Sequence, residues 1–200
     1  MAIVKPFKAF RPKKELAKLM ASRPYDVLNS EEARREAEGN PYSFLHVTKS
    51  EIDLPENIDI HTQPVYDKAV ENLNKMIKDG WLVQDNKACY YIYAQTMWGK
   101  TQYGIVGCAA VDDYLNKVIK EHELTRPDKE EDRKNHIRFT NFNAEPVFFA
   151  FPDNEDINKI IQSYIINPGE YDFTLDDGVR HQLWVIDKED DIKNIEKIFK

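Results

Sequence analysis

The sequence predicts an α+β or mixed α/β fold, in which a hairpin-containing mixed sheet is flanked by helices. Two observations carry this prediction. Apolar segments with a helical period alternate with short runs of aromatic and β-branched residues, and no internal repeat is present. The strand order does not follow from the sequence. We expect one compact unit over residues 1–200, with a subdivision near residues 140–150 as the alternative.

Helices are predicted from apolar spacing and from residues that cap helix ends. Asn29 or Ser30 is a suitable N-cap, and Gly39 and Gly80 are suitable stops, because glycine readily adopts the left-handed conformation after a helix. The predicted helices cover residues 13–21, 31–38 and 65–79, a segment after Asp113, a segment capped by Asp153 and a segment capped by Asp187.

Strands are predicted where aromatic and β-branched residues concentrate. Two runs flank Trp98-Gly99-Lys100 and predict a hairpin. A second hairpin is predicted around Asp177-Gly178, because this dipeptide supplies positive φ, and His181 then falls on a strand as a structural residue. The predicted strands cover residues 43–47, 88–94, 103–111, 146–151, 171–175 and 179–186.

The composition excludes several classes of protein. The net charge of −7, from 28 basic and 35 acidic residues, argues against a nucleic-acid partner, which needs basic surface. No apolar run resembles a signal peptide or a membrane span, so we expect a cytoplasmic protein with no membrane partner. Cys89 and Cys108 each lie in an apolar run and are expected to be small buried thiols.

Reactive side chains are densest between His122 and Arg133. If Pro127 opens a helix, Lys129 and Arg133 lie four residues apart on one face, and Asp132 could orient either cation. Such a pair suits an anionic or phosphorylated ligand. The alternative is a solvated, charged helix without a ligand.

The dipeptide His122-Glu123 is not a metal-binding motif. Adjacent residues cannot bind one metal from a single helix face, so no metal site is predicted. A structural alternative is equally open, in which His122 caps a helix end and Glu123 pairs with an arginine.

Two further segments are candidates near the N-terminus. Asp26 lies in Pro24-Tyr25-Asp26-Val27, where a rigid turn could present its carboxylate to a ligand; an Asx turn is the structural alternative. Residues 5–23 are mainly basic and include Arg11, so this stretch could contact phosphate or form a solvated helix face.

Several segments of the sequence, taken together, resemble a known family. They are Arg11-Pro12, Pro24-Tyr25-Asp26-Val27, Glu31-Glu32-Ala33-Arg34, Asn40-Pro41-Tyr42-Ser43-Phe44-Leu45-His46-Val47 and His122-Glu123-Leu124-Thr125, with Lys129 and Asp132-Arg133 behind the last of them. In this order they resemble the N-terminal part of the uncharacterised family called domain of unknown function 1015.

The resemblance implies a longer complete protein, with an Asp-Gly-His-His-Arg segment similar to that of the ParB-like free serine kinases. This chain ends before that segment, so the resemblance implies a fragment or a shortened member. It further implies kinase activity or nucleotide binding in the complete protein, with ATP or ADP and magnesium as the expected cofactors.

On this hypothesis Asp26 or Glu123 serves as base or magnesium ligand, while Lys129 and Arg133 neutralise phosphate. The expected ligand contacts are Arg11, His122, Thr125, Lys129 and Arg133. The alternative is a noncatalytic regulatory or binding module, which could associate with nucleic acid although the acidic balance argues against it. The kinase hypothesis requires the basic residues of segment 5–23, Asp26 and the Lys129–Arg133 helix to share one pocket.

Overall fold

A computed structural model of the chain describes residues 2–121 and 126–199, without the side chain of Asp128. The α-helices are α1 (Ala17–Met20), α2 (Ser30–Ala37), α3 (Leu45–Thr48), α4 (Gln63–Lys78), α5 (Val111–Leu115), α6 (Pro127–Thr140), α7 (Glu155–Ile165) and α8 (Glu189–Ile198). Short 3-10 helices cover Lys14–Leu16, Tyr25–Val27 and Ser50–Asp53. The strands are β1 (Val4–Lys5), β2 (Phe10–Pro12), β3 (Leu82–Gln84), β4 (Tyr90–Met97), β5 (Lys100–Val106), β6 (Cys108–Ala109), β7 (Tyr171–Thr174) and β8 (Arg180–Ile186).

The fold is α+β, which confirms the first of the two predicted classes. Its main sheet has four strands in the order β5-β4-β8-β7, and each neighbouring pair is antiparallel. The chain divides into two compact units. Among the described residues, unit 1 contains 2–14, 84–121 and 148–199, and unit 2 contains 15–83 and 126–147. In the described part of the chain, no helix combines the length and apolar character needed to cross a membrane.

Unit 1 is built on the four-stranded sheet. Side chains alternate along a strand, so Tyr90, Ile92 and Ala94 of β4 share one face, and all three are buried. That face carries α7 and α8, whose apolar sides have the helical period. The buried core consists of Tyr90, Ile92, Ala94, Ile157, Ile161, Trp184, Ile186, Ile195 and Phe199.

Turn chemistry fixes both hairpins of the sheet, as predicted. Trp98 and Gly99 have φ of 50° and 75°, the two positive values that a tight hairpin turn requires. Gly178 has φ of 83° between β7 and β8. Gly107 marks a close approach instead, since a Cβ there would lie 2.8 Å from Val4 Cγ1 and 2.9 Å from the Tyr90 ring.

Unit 2 is helical. Asn29 caps α2 in a capping box, where its side chain accepts from Glu32 N–H and the Glu32 carboxylate accepts from Asn29 N–H. Gly39, with φ of 70°, follows this helix as predicted. The long helix α4 packs against α3 and α6. One buried cluster of the unit consists of Leu28, Ala33, Ala37, Leu45 and Ile52.

Two predicted strands are wrong. Residues 45–47 of the first belong to α3, because N–H groups of this helix find carbonyl partners three or four residues back, as Val47 and Thr48 both do with Phe44. Residues 146–151 form no regular element. Strand-forming residue types are present there, but a strand also needs a neighbouring strand to pair with.

Local predictions at three other positions are also wrong. Asn154, not Asp153, caps α7, and Lys188, not Asp187, occupies the N-cap position of α8. Each helix therefore starts one residue later than predicted. Cys89 is buried as expected, whereas Cys108 is exposed on the short strand β6.

Candidate functional site

The candidate site lies in unit 2 and is named here the Arg133 cluster. It consists of Tyr25, His61, Tyr66, Asp132, Arg133 and Glu145. Its central residues lie on α6, which Pro127 opens as the sequence predicts. Lys129 and Arg133 are therefore one helical turn apart.

Asp132 is the most connected carboxylate of the cluster. Arg133 donates from Nε and Nη2 to Asp132 Oδ2 at 3.2 and 2.7 Å. The Tyr66 hydroxyl donates to Oδ1 at 3.0 Å, and His61 Nδ1 lies 3.2 Å from the same oxygen. Burial opposes ionisation of Asp132, but the hydrogen bonds from Arg133, Tyr66 and His61 outweigh it and lower its pKa. Asp132 is thus held as a carboxylate, and it orients Arg133 as predicted.

Arg133 joins α6 to the Tyr25–Val27 turn. Its guanidinium carbon lies 3.9 Å from the centroid of the Tyr25 ring, which is close enough for a cation–π interaction. Its Nη1 lies 3.6 Å from Glu145 Oε2, and Glu145 Oε1 accepts a hydrogen bond from Tyr25 N–H at 3.3 Å. Asp26, the next residue of the turn, is exposed.

The two carboxylates around Arg133 have opposite pKa shifts. Burial raises the pKa of Glu145, and the charge of Arg133 offsets only part of this effect. The negative charge of Asp26 adds to the increase. Burial, together with the hydrogen bond to Asp132, raises the pKa of Tyr66 to about 12. Arg133 is thus the shared counter-ion of one carboxyl group of lowered pKa, Asp132, and one of raised pKa, Glu145.

The structure brings together some of the predicted site residues. Asp26 and Arg133 belong to adjoining segments of unit 2 through the Tyr25 contact. Lys129 is exposed on α6, and no ion pair joins it to another residue within ranges 2–121 and 126–199. His122, Glu123 and Thr125 lie outside the described residues.

Arg11 lies in unit 1, where its side chain is engaged within that unit. It donates from Nε and Nη2 to the Asp85 carboxylate at 2.9 and 2.7 Å, and from Nη1 to the Tyr171 hydroxyl at 3.0 Å. Its guanidinium carbon also lies 5.9 Å from the Tyr91 ring centroid. The hydrogen bond to Asp85 raises the pKa of Arg11, so the pair is fully charged. These contacts indicate a structural role in unit 1.

Sequence reasoning did not select Glu145, His61 or Tyr66. Glu145 lies after the end of α6. His61 precedes α4 and Tyr66 lies in its first turn, and both are far from Asp132 in sequence. A buried tyrosine on the apolar face of a helix gives no signal of its hydroxyl partner. Only the packing of α4 against α6 brings these groups to Asp132.

His46 and Asp53 form a second titratable pair in unit 2. His46 Nδ1 lies 2.9 Å from Asp53 Oδ1, and Nε2 lies 3.1 Å from the Asn40 carbonyl oxygen. Both ring nitrogens face acceptors, and only the protonated imidazolium can donate from both. Asn72 also donates to Asp53 Oδ2 at 2.7 Å. The hydrogen bond to Asp53 raises the pKa of His46 above its usual value of 6.5.

This pair predicts a pH dependence of stability. A histidine whose pKa is raised in the folded state stabilises the fold fully below its unfolded pKa, and this contribution is lost as pH rises through the folded pKa. We therefore expect the contribution of His46 to the free energy of unfolding to fall as pH rises above about 6.5. Burial lowers the pKa of His136 and His181, which contribute with the opposite sign, so the difference between the parent and a His46 variant isolates the effect. Urea titrations across this range, with an NMR titration of the His46 ring, measure the effect. The His46→Gln variant should lack this pH-dependent component; an unchanged slope would contradict the assignment.

Comparison with known proteins gives one result that bears on identity. A family model described as "Protein of unknown function (DUF1015)" matches residues 4–200. No curated protein and no solved structure matches the chain. The matched region covers nearly the whole chain, as the resemblance of its motifs implied. The chain therefore belongs to the DUF1015 family of proteins of unknown function.

Proposed function

We propose that unit 2 carries a binding site for a small phosphorylated ligand, and that the complete protein is a small-molecule kinase similar to the ParB-like serine kinases. ATP or ADP with magnesium is the proposed cofactor. Phosphoryl transfer depends mainly on positioning and on stabilisation of phosphate charge. Lysine, arginine and carboxylate side chains can supply both.

The observation that carries the proposal is the convergence of two of the three segments that the kinase hypothesis requires. Arg11, from the third, is engaged by Asp85 and Tyr171 in unit 1 and is left out of the proposed site. The Tyr25–Val27 turn and α6 meet where Arg133 stacks on Tyr25 at 3.9 Å. Asp26 of that turn is an exposed carboxylate, and Lys129 of α6 is an exposed cation. In the proposed site Lys129 and Arg133 neutralise phosphate, while Asp26 acts as base or magnesium ligand. Magnesium usually takes one or two carboxylates together with substrate phosphates.

The start of α6 supports the same location for phosphate. Backbone N–H groups of a first helical turn lack partners within the helix and attract anions. We assign His122, Glu123 and Thr125 to the same ligand because they directly precede this helix in sequence.

A noncatalytic binding or regulatory module is the second candidate, and one observation favours it. Three Arg133 nitrogens already face the Asp132 and Glu145 carboxylates. A ligand phosphate would have to compete with these partners for Arg133. Among the residues that the structure describes, Lys129 has no such competitor, so it is the better residue for a test.

Isothermal titration calorimetry of the 200-residue chain with ATP and ADP, each with magnesium, tests the proposal. We expect saturable binding, and we expect Lys129→Ala to weaken it about tenfold, since one charge-assisted contact is lost. Lys134→Ala is the matched control, because Lys134 is exposed on the same helix and pairs with Glu130 at 2.6 Å. It should leave the affinity unchanged.

Each outcome of this titration has a definite meaning. Binding weakened by Lys129→Ala alone supports a phosphate site at the start of α6. Equal losses in both variants would indicate nonspecific attraction to basic side chains. No binding by the unaltered chain would refute a nucleotide site within these 200 residues.

A further inference from the structure

The segment Pro146–Phe151, named here the apolar segment, exposes large hydrophobic side chains. Val147 and Phe148 are 74% and 77% exposed, and Phe149 and Phe151 are also exposed. Neighbouring exposed side chains of this size are unusual on a monomeric protein and mark interaction sites. At its end the segment is tied to unit 1, since the Phe151 ring packs edge-on against Phe199 at 5.2 Å.

The backbone of the apolar segment is also unpartnered. Residues 146–152 form no backbone hydrogen bond with any described part of the chain. The sequence nevertheless has the aromatic and β-branched composition of a strand. The segment therefore has the composition of a β-strand but lacks a neighbouring strand.

Unit 1 contains an edge strand that lacks a neighbouring strand on one side. β5 is the edge of the main sheet and pairs only with β4 among the described strands. Residues 100–104 are exposed. Edge strands are usually protected by prolines, bulges or several charges, but β5 has no proline and a single charge, Lys100, at its first position. Its outer backbone groups are open to another strand.

We propose that two copies of this chain form a dimer in which the apolar segment of each copy adds as a strand to β5 of the other. The apolar segment has six residues and β5 has seven, so the two match in length. Within unit 1 the residues of the segment, from Phe148 onward, are not paired with β5. One chain thus supplies both the missing strand and the open edge.

Side-chain alternation fits this pairing. Tyr103 and Ile105 share one face of β5, and Ile105 packs against the core below the helices. Val147 and Phe149 also share one face of an extended segment, so they can continue that apolar surface, while Phe151 stays packed against Phe199 of its own copy. The opposite face receives Phe148 beside Gly104, where no atom lies within 4 Å of a Cβ position.

A second copy is the favoured occupant because the exchange is reciprocal. With two-fold symmetry each apolar segment pairs with the β5 edge of the other copy. No segment or edge is left to bind a third copy, so the assembly stops at a dimer. Strand addition supplies affinity through main-chain hydrogen bonds, and alternate side-chain contacts supply specificity. An unrelated extended peptide would leave the apolar segment itself uncovered.

Sedimentation velocity of the 200-residue chain over a concentration series tests the proposal. We expect a monomer–dimer equilibrium, and we expect Phe148→Lys with Phe149→Lys to weaken dimerisation about 100-fold or more, as loss of buried aromatic anchors does. The matched control is Ile166→Lys, since Ile166 is equally exposed in unit 1 but lies outside both surfaces. Thermal unfolding verifies that each variant is folded.

Amide hydrogen exchange locates the interface independently of any variant. Protection of the amides of residues 100–106 and 147–151 should rise together with protein concentration. A monomer at all concentrations would overturn the proposal, as would a dimer that survives the double substitution. Open-ended aggregates in place of a dimer would also overturn it, because reciprocal exchange predicts closure.

Discussion

Replacing Arg11 with alanine is expected to lower the free energy of unfolding by about 3 kcal/mol. The Arg11 side chain is only 20% exposed, and the Asp85 carboxylate that it holds is 16% exposed. Truncation leaves this carboxylate without its bidentate partner, and it also removes the donor to the Tyr171 hydroxyl. Urea denaturation followed by tryptophan fluorescence measures the loss, because Trp184 belongs to the core of unit 1.

A second arginine–aspartate pair in the same unit serves as the control, because it has the same geometry but is more exposed to solvent. Arg180 donates to Asp172 in the same two-pronged geometry, at 2.7 and 2.6 Å, but its side chain is 48% exposed. Arg180→Ala should therefore cost only about 0–1 kcal/mol. The double variant Arg11→Ala with Asp85→Ala should recover part of the loss. Equal effects of Arg11→Ala and Arg180→Ala would contradict a structural role for Arg11.

Replacing Arg133 with alanine is expected to destabilise unit 2 by about 2 kcal/mol, with a pH dependence that identifies the cause. The substitution removes the cation between Asp132 and Glu145 and the contact with the Tyr25 ring. Without it the pKa of both carboxyl groups should rise. A carboxyl with a raised folded pKa destabilises the fold as pH rises from its unfolded pKa to its folded pKa.

The stability deficit of Arg133→Ala should therefore be largest near pH 7 and smaller at about pH 4, where carboxyl groups are largely protonated. Urea titrations at both pH values measure the difference between variant and parent. Arg138→Ala is the control, since Arg138 is exposed on the same helix, and its effect should stay within about 0.5 kcal/mol. A pH-independent deficit would refute the role of Arg133 as the shared counter-ion.

The two proposals concern different residues and fail separately. The ligand proposal depends on Lys129 at the start of α6, and the dimer proposal depends on the apolar segment and β5. Loss of nucleotide binding would leave the sedimentation behaviour unchanged. A monomeric chain could still bind a phosphorylated ligand.

Features that depend on local interactions were predictable from the amino-acid sequence. Both hairpins were predictable because Gly99 and Gly178 supply positive φ at the turns. The start of α6 was predictable from Pro127, and the cap of α2 from Asn29, since each acts within one helical turn. The spacing of Lys129 and Arg133 on one helix followed directly from this start.

Which helices, strands and side chains contact each other depends on packing between segments that are distant in sequence. Residues 43–47 and 146–151 have strand-forming composition, yet neither finds a neighbouring strand within the described chain, and strand formation depends on that neighbour. Arg11 is held by Asp85 and Tyr171, and Arg133 by Tyr25 and Glu145. All four partners lie at least twelve residues away in sequence, whereas Asp132, the other partner of Arg133, is its neighbour. Sequence therefore determined where charged groups lie along each element, whereas packing determined which opposite charges meet and hence the pKa of each group.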